Sequence, residues 1–205
     1  FFSFLLIRSD MILVNYFKGA NSSGIYSIAV NFADLLYLLP VTIGGMLFPK
    51  ISANVNDDGT FTQKVSRHTV FLMAIICLLT ALICKPLILL MYGKQFAFSV
   101  SPFLWLLPGI FFLSVVTIYN SDLAGRGYPP FIILASAIGF ILNFSLNLFF
   151  IPQWGEIGAA ITSSISYFVM FMIVLIYLIR FRHTTFKSLL FPSFSEIWNL
   201  FKYRR

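Results

Sequence analysis

Stretches of about 20 predominantly apolar residues, the length a helix needs to cross a bilayer, recur along this chain between clusters of Gly, Pro, Asn and charge. Six such spans can be read, over residues 1–17, 24–48, 69–92, 102–119, 130–150 and 157–179. A soluble domain cannot bury so much: 59% apolar residues, 10% charged residues and a mean hydropathy of +0.91 leave lipid as the solvent. Phe occurs 25 times and is spread through all 205 residues, so the bias is not that of one anchor on a soluble domain. The expected fold class is all-α, a polytopic membrane helix bundle over residues 1–182 followed by a basic tail over 183–205.

The first span begins at Phe1 with no Met, no basic n-region and no small-residue cleavage site, so it reads as the cut end of a longer chain rather than as a signal peptide. Cys77 and Cys84 lie seven positions apart on one apparent helix, roughly 10 Å along its axis, too far to bridge. They read as small core residues.

Lys and Arg set the expected direction, because cytoplasmic loops keep positive charge. One side collects Lys50, Lys64, Arg67, Arg126, Arg180, Arg182, Lys187, Lys202, Arg204 and Arg205, while the other has Lys18 and Lys94. The reading is a multi-pass protein of the cell inner (plasma) membrane with its C-terminus in the cytoplasm. The net charge of +7 is then a topology signal, and with its basic residues split among loops and a tail the chain has no nucleic-acid surface.

Asp57, Asp58 and Gly59 form a turn signal, with Thr60 as a helix cap. In the tail, Ser193 and Glu196 stand at capping-box spacing ahead of Ile197, Trp198, Leu200 and Phe201, and then Lys202, Arg204 and Arg205. That pattern suits either an interfacial helix on anionic headgroups or a partly disordered tail.

Ionisable groups inside a bilayer face partners, water or substrate, because a charge near its centre costs several kcal/mol. Arg8, Asp10 and Asp34 are such groups. The first two spans form a hairpin with its apex near Asn21, and at about 1.5 Å per residue Arg8 and Asp34 share a depth roughly 20 Å from it. An Arg8–Asp34 pair is geometrically reasonable. Arg8 and Asp10 lie roughly 200° apart around the helix and cannot both face Asp34, so one of them must look elsewhere. Arg8 can offer a planar fork of donors to a diphosphate, or be a permanently neutralised partner of Asp34. Lys85, beside Pro86, has a stem long enough to snorkel.

The fifth span carries Ser136, Asn143 and Asn147 along one side, a stripe that either lines a wet cavity or glues helices together. In the sixth, Gly155, Ala159 and Ser163, with Ala160 and Ser164, repeat at four-residue spacing and point to close packing. Pro40 and Pro49, and Pro102 with Pro108 and Gly109, are expected to interrupt helix hydrogen bonding.

Several strings fall in order along the chain: Arg8-Ser9-Asp10; Ser23 to Ala29; Leu39-Pro40; Phe48-Pro49-Lys50; Tyr92 to Phe96; Gly125-Arg126-Gly127; Asn143 and Asn147; and Ile151 to Ala160. This series resembles the polysaccharide transporter family, the O-antigen and capsule flippases of the multidrug, oligosaccharidyl-lipid and polysaccharide exporter superfamily. The resemblance covers nearly all of the chain and implies helices seven to twelve of a two-lobe protein whose N-terminal lobe is missing here.

It also implies alternating access, in which a cavity between lobes takes the head of an undecaprenyl diphosphate oligosaccharide from the cytoplasmic face and releases it outside, with the lipid tail left among the membrane lipids. Arg8, Asp10, Asp34 and Asn143 carry over as substrate-cavity candidates. No cofactor or metal is implied. The main rival is a Na⁺- or H⁺-coupled multidrug and toxin extrusion antiporter of the same superfamily, with Asp10 or Asp34 as the coupling acid. A membrane enzyme acting on lipid-linked sugars is disfavoured by short external loops, isolated His68 and His183, and the lack of a phosphate-binding Gly-rich loop.

Overall fold

A computed structural model describes residues 2–54 and 59–182, with side chains over 9–54, 59–128 and 130–180. Four helices follow one another: α1 (Phe2–Ala53), α2 (Thr60–Tyr92), α3 (Val100–Gly125) and α4 (Pro129–Arg182), with a short 3-10 helix, Lys94–Ser99, between α2 and α3. All four are long and apolar enough to cross a membrane. The all-α membrane bundle is borne out, but the helix count is four among the described residues rather than six.

The reason lies in two glycines. α1 has 52 residues and α4 has 54, so each would be about 80 Å long if straight, against a hydrocarbon core of about 30 Å. Neither is straight. Inside α1 the one residue with non-helical dihedrals is Gly19 (φ 81°, ψ 179°), and inside α4 it is Gly155 (φ 57°, ψ −133°). Tyr26 reaches back to hydrogen-bond Asp10, 16 residues earlier, a separation of about 24 Å on a straight helix. Phe131 stacks on Tyr177 with ring centroids 4.2 Å apart, which folds α4 on itself in the same way. Each long helix therefore doubles back at a single glycine without an intervening loop.

The prolines behave otherwise. Pro40, Pro49, Pro86, Pro108 and Pro152 all sit inside helices at residues that keep helical dihedrals, so each withholds a backbone donor without reversing its helix, and the reversals fall at glycines. Thr60 does not cap α2. It is the first helical residue, and Gly59, in the left-handed conformation, holds the cap position with no side-chain bond.

Gly127 (φ 84°) ends α3 in a Schellman motif: its N–H donates to the Ala124 carbonyl at 3.1 Å, and the Tyr128 N–H to the Leu123 carbonyl at 2.9 Å. A residue with a Cβ is strained there, which explains the Gly125-Arg126-Gly127 string physically. The basic tail, with its Ser193–Glu196 capping pattern, lies outside the described residues.

α3 is the central helix, packed against α1, α2 and α4, whereas α2 is peripheral. Small residues allow the closest approaches. A Cβ on Gly109 would stand 2.8 Å from the Ser164 Cα and 2.9 Å from the Tyr167 ring, so α3 and α4 meet backbone to backbone at Ser164. A Cβ on Gly125 would lie 3.1 Å from the Phe48 carbonyl oxygen, which brings the ends of α1 and α3 together. The Lys18 stem passes over Gly155, so both glycine turns occupy the same end of the bundle. Lys50, whose ammonium lies 3.4 Å over the Phe61 ring, marks the other end. Leu38, Leu82, Leu90 and Phe149 stay exposed on the outside, as befits a surface that meets lipid or a further protein segment.

Candidate functional site: a buried polar layer

Asp10, Tyr26, Asn143, Asn147, Thr162 and Ser163 converge within the apolar bundle. Counted from their glycine turns at about 1.5 Å per residue, all six lie roughly 10–18 Å below that end, so the two hairpins bring them to similar depth. Asp10 is 2% exposed, and Asn143, Asn147, Thr162 and Ser163 are fully buried.

The Asp10 carboxylate accepts from three sources. Asn147 Nδ2 donates to Oδ1 at 2.7 Å, Tyr26 Oη donates to Oδ2 at 3.1 Å, and the Ser163 hydroxyl donates to Oδ2 as well. Asn147 Nδ2 also reaches Asn143 Oδ1 at 3.0 Å, Asn143 Nδ2 lies 3.4 Å from Ser163 Oγ, and the Thr162 hydroxyl donates to Asn147 Oδ1. Both limbs of both hairpins contribute. A buried carboxylate is tolerable only when its lone pairs are satisfied, and here three donors surround it. The network fixes the two hairpins against each other.

The four candidates from the sequence separate accordingly. Asp10 and Asn143 come together in this layer, with Asn147 and Ser163 as partners. Asp34 lies apart, half-buried on the second limb of α1, one turn before Tyr37, whose hydroxyl is 2.9 Å from Thr117 Oγ1 on α3. Arg8 belongs to α1, but its side chain lies outside the described residues, and with it the Arg8–Asp34 pair.

Sequence reading passed over a second buried charge. Asp122, fully buried near the end of α3, accepts from Arg126 Nε at 3.0 and 3.2 Å and from Thr62 Oγ1 of α2 at 2.7 Å. The Arg126 side chain is only 7% exposed. The signal available was the four-residue Asp122–Arg126 spacing, which puts opposite charges on one helix face. Among the described residues, no group of three or more His, Cys, Asp or Glu side chains is placed to hold a metal.

Known proteins share both sequence and fold with this chain. Residues 1–101 match the family described as Polysaccharide biosynthesis protein. A putative O-antigen transporter of Shigella flexneri is 27% identical over 166 residues, covering 78% of this chain and 39% of that protein. The probable flippase AglR of Haloferax volcanii is 28% identical over 167 residues, covering 77% and 34%. An uncharacterised membrane protein of Methanocaldococcus jannaschii is 28% identical over 178 residues, covering 83% and 35%. The chain thus spans well under half the length of these curated relatives.

Among solved structures, the lipid II flippase MurJ in an inward closed conformation superposes with a TM-score of 0.78 at 17% identity, covering 86% of this chain and 40% of that one. A transporter of the multidrug, oligosaccharidyl-lipid and polysaccharide superfamily from Pyrococcus furiosus superposes with a TM-score of 0.70 at 21% identity, covering 98% and 47%. The two relatives from Shigella flexneri and Haloferax volcanii and both solved structures are described as transporters or flippases rather than enzymes. The resemblance to the polysaccharide transporter family, read from the ordered strings, is borne out.

Proposed function

We propose, from the premise that the first half of the chain matches the polysaccharide biosynthesis family and the whole backbone carries the exporter fold, that it is one lobe of a flippase. The cargo would be an undecaprenyl diphosphate oligosaccharide, moved from the cytoplasmic to the outer leaflet by alternating access. The match over residues 1–101 carries this reading, and the two flippase-type relatives support it. Coverage of 40–47% of the neighbouring structures fits a lobe whose N-terminal counterpart lies elsewhere in the protein.

Two lobes that rock must each stay rigid, and the layer around Asp10 supplies that rigidity. In this reading Asp10 and Asn143 act through the stiffness of the lobe. Arg8 and Asp34 are the positions offered to the diphosphate and its sugar. In this reading the Gly19–Gly155 end faces outward and the Lys50 end faces the cytoplasm, an orientation that the distribution of Lys and Arg supports.

Deleting the gene for the complete protein should abolish surface polysaccharide and leave lipid-linked oligosaccharide on the cytoplasmic side. The alternative, an ion-coupled antiporter, draws on the superposition with a multidrug transporter of the same superfamily at a TM-score of 0.69. Unchanged polysaccharide, together with lost efflux of small organic cations, would sink the flippase.

A further inference from the structure

Near the end of the bundle that holds the glycine turns, a recess of about 340 Å³ opens between α2, the 3-10 helix, α3 and the second limb of α4. Its volume sits at the lower end of the roughly 300–1,000 Å³ typical of small-molecule sites. Lys85 and Glu156 both line it, with Ser101 and the apolar side chains of Phe98, Leu104 and Ile157. Neither Lys85 nor Glu156 makes an ion pair or side-chain hydrogen bond among the described residues. Opposite charges thus share one recess without neutralising each other directly.

The surface leading to the recess is apolar and continuous. Phe71, Ile75, Leu78, Leu82 and Lys85 follow at spacings of four, three, four and three, which places them on one face of α2. The four apolar members are 49%, 40%, 65% and 72% exposed. From Phe71 to Lys85 the stripe is about 21 Å long, enough to run alongside an acyl chain in one leaflet, which is about 15 Å thick. A long greasy stripe that ends at a cation and an anion has the outline of a zwitterionic lipid.

We propose that this recess binds the headgroup of a glycerophospholipid carrying both a phosphodiester and a primary ammonium. Lys85 takes the phosphate oxygens, Glu156 accepts from the ammonium, and one acyl chain lies along Phe71 to Leu82. An ionised carboxylate only accepts, so it selects a headgroup with N–H donors and gains less from a fully methylated ammonium. A purely anionic lipid satisfies Lys85 alone and sets its charge against Glu156. This inference rests on membrane embedding and not on what the protein transports.

Native mass spectrometry of the complete protein in mild detergent, titrated with single lipids, tests it. Phosphatidylethanolamine should bind about tenfold more tightly than phosphatidylcholine or phosphatidylglycerol, the difference expected of one charge-assisted hydrogen bond. Affinity should fall step by step across its mono-, di- and trimethylated analogues, a series that needs no variant. Lys85→Gln should weaken ethanolamine and glycerol lipids alike, whereas Glu156→Gln should remove the preference and spare phosphatidylglycerol. The reversed pair, Lys85→Glu with Glu156→Lys, should regain the ethanolamine preference. Equal binding of all three headgroups by the unaltered protein overturns the proposal. So does a flat methylation series, or a reversed pair that regains thermal stability without lipid preference, since the charges would then serve each other.

Discussion

Asn147 donates its side-chain amide to Asp10 at 2.7 Å across 137 positions of sequence. That bond ties the first limb of α1 to the first limb of α4, and Tyr26 and Ser163 complete the carboxylate from the second limb of each helix. The site is therefore as much a fastener as a feature of the transport path.

Replacing Asp10 with Ala should lower the stability of the complete protein by about 2 kcal/mol, because buried donors on Asn147, Tyr26 and Ser163 lose their acceptor. Asp10→Asn should cost less, since one acceptor oxygen remains. Thermal unfolding in detergent measures both, and a double-mutant cycle with Asn147→Ala should show a coupling of about 0.6–2 kcal/mol. Additive effects would mean that the hydrogen bond contributes nothing to the fastening.

Gly19→Ala should destabilise by about 1–3 kcal/mol through backbone strain alone. Its φ of 81° with ψ of 179° is open to glycine, and an added Cβ would touch nothing within 4 Å. Gly24→Ala is the matched control: it lies in regular helix and is equally open, so it should be neutral or stabilise by up to about 1 kcal/mol. If the two variants melt alike, the turn at Gly19 is not set by glycine.

Enlarging Gly109 should push α3 away from α4, because the Ser164 Cα occupies the space a Cβ needs. Gly109→Ala should cost about 1–3 kcal/mol, in line with overpacking elsewhere. The measurement is a denaturation curve beside Gly45→Ala, a position with nothing within 4 Å, and equal curves would refute close packing there.

At the other end of the bundle, Asp122→Ala would strip a mostly buried Arg126 of its counter-ion and should cost about 3–5 kcal/mol. Thr62→Val removes one donor to the same carboxylate and should cost about 1 kcal/mol. Similar small losses from both would show that water already screens the pair.

Arg8→Lys and Arg8→Ala should each reduce transport by the complete protein if Arg8 presents a two-pronged donor to a diphosphate, with Lys recovering only part. Translocation of a labelled lipid-linked oligosaccharide into the outer leaflet is the readout. Full activity in both variants excludes Arg8 from contact with cargo.

Much of this arrangement was legible in the sequence, and what was missed has physical causes. Apolar runs gave the helical class because only a helix satisfies its own backbone in lipid. Asp10, Asn143 and Asn147 stood out as polar groups inside those runs, but their partners could not be read, since depth along a helix is a sequence quantity and rotation about its axis is set by packing. Depth pointed to Arg8 and Asp34. The bonds to Asp10 come from Tyr26, Asn147 and Ser163 instead. Asp122 falls beyond the fourth span read from the sequence, yet α3 runs on to Gly125 and holds it in the core. Lys18 to Ser23 likewise reads as a polar loop, while all of it except Gly19 keeps helical dihedrals.

The reversals at Gly19 and Gly155 also decide how this end of the molecule looks to a binder. With each of these two changes of direction confined to one residue, neither reversal projects a loop for an antibody to wrap or for an inserted tag to occupy. Recognition there must rely on surface relief, such as the half-exposed indole of Trp154, which packs on Phe150 just before Gly155.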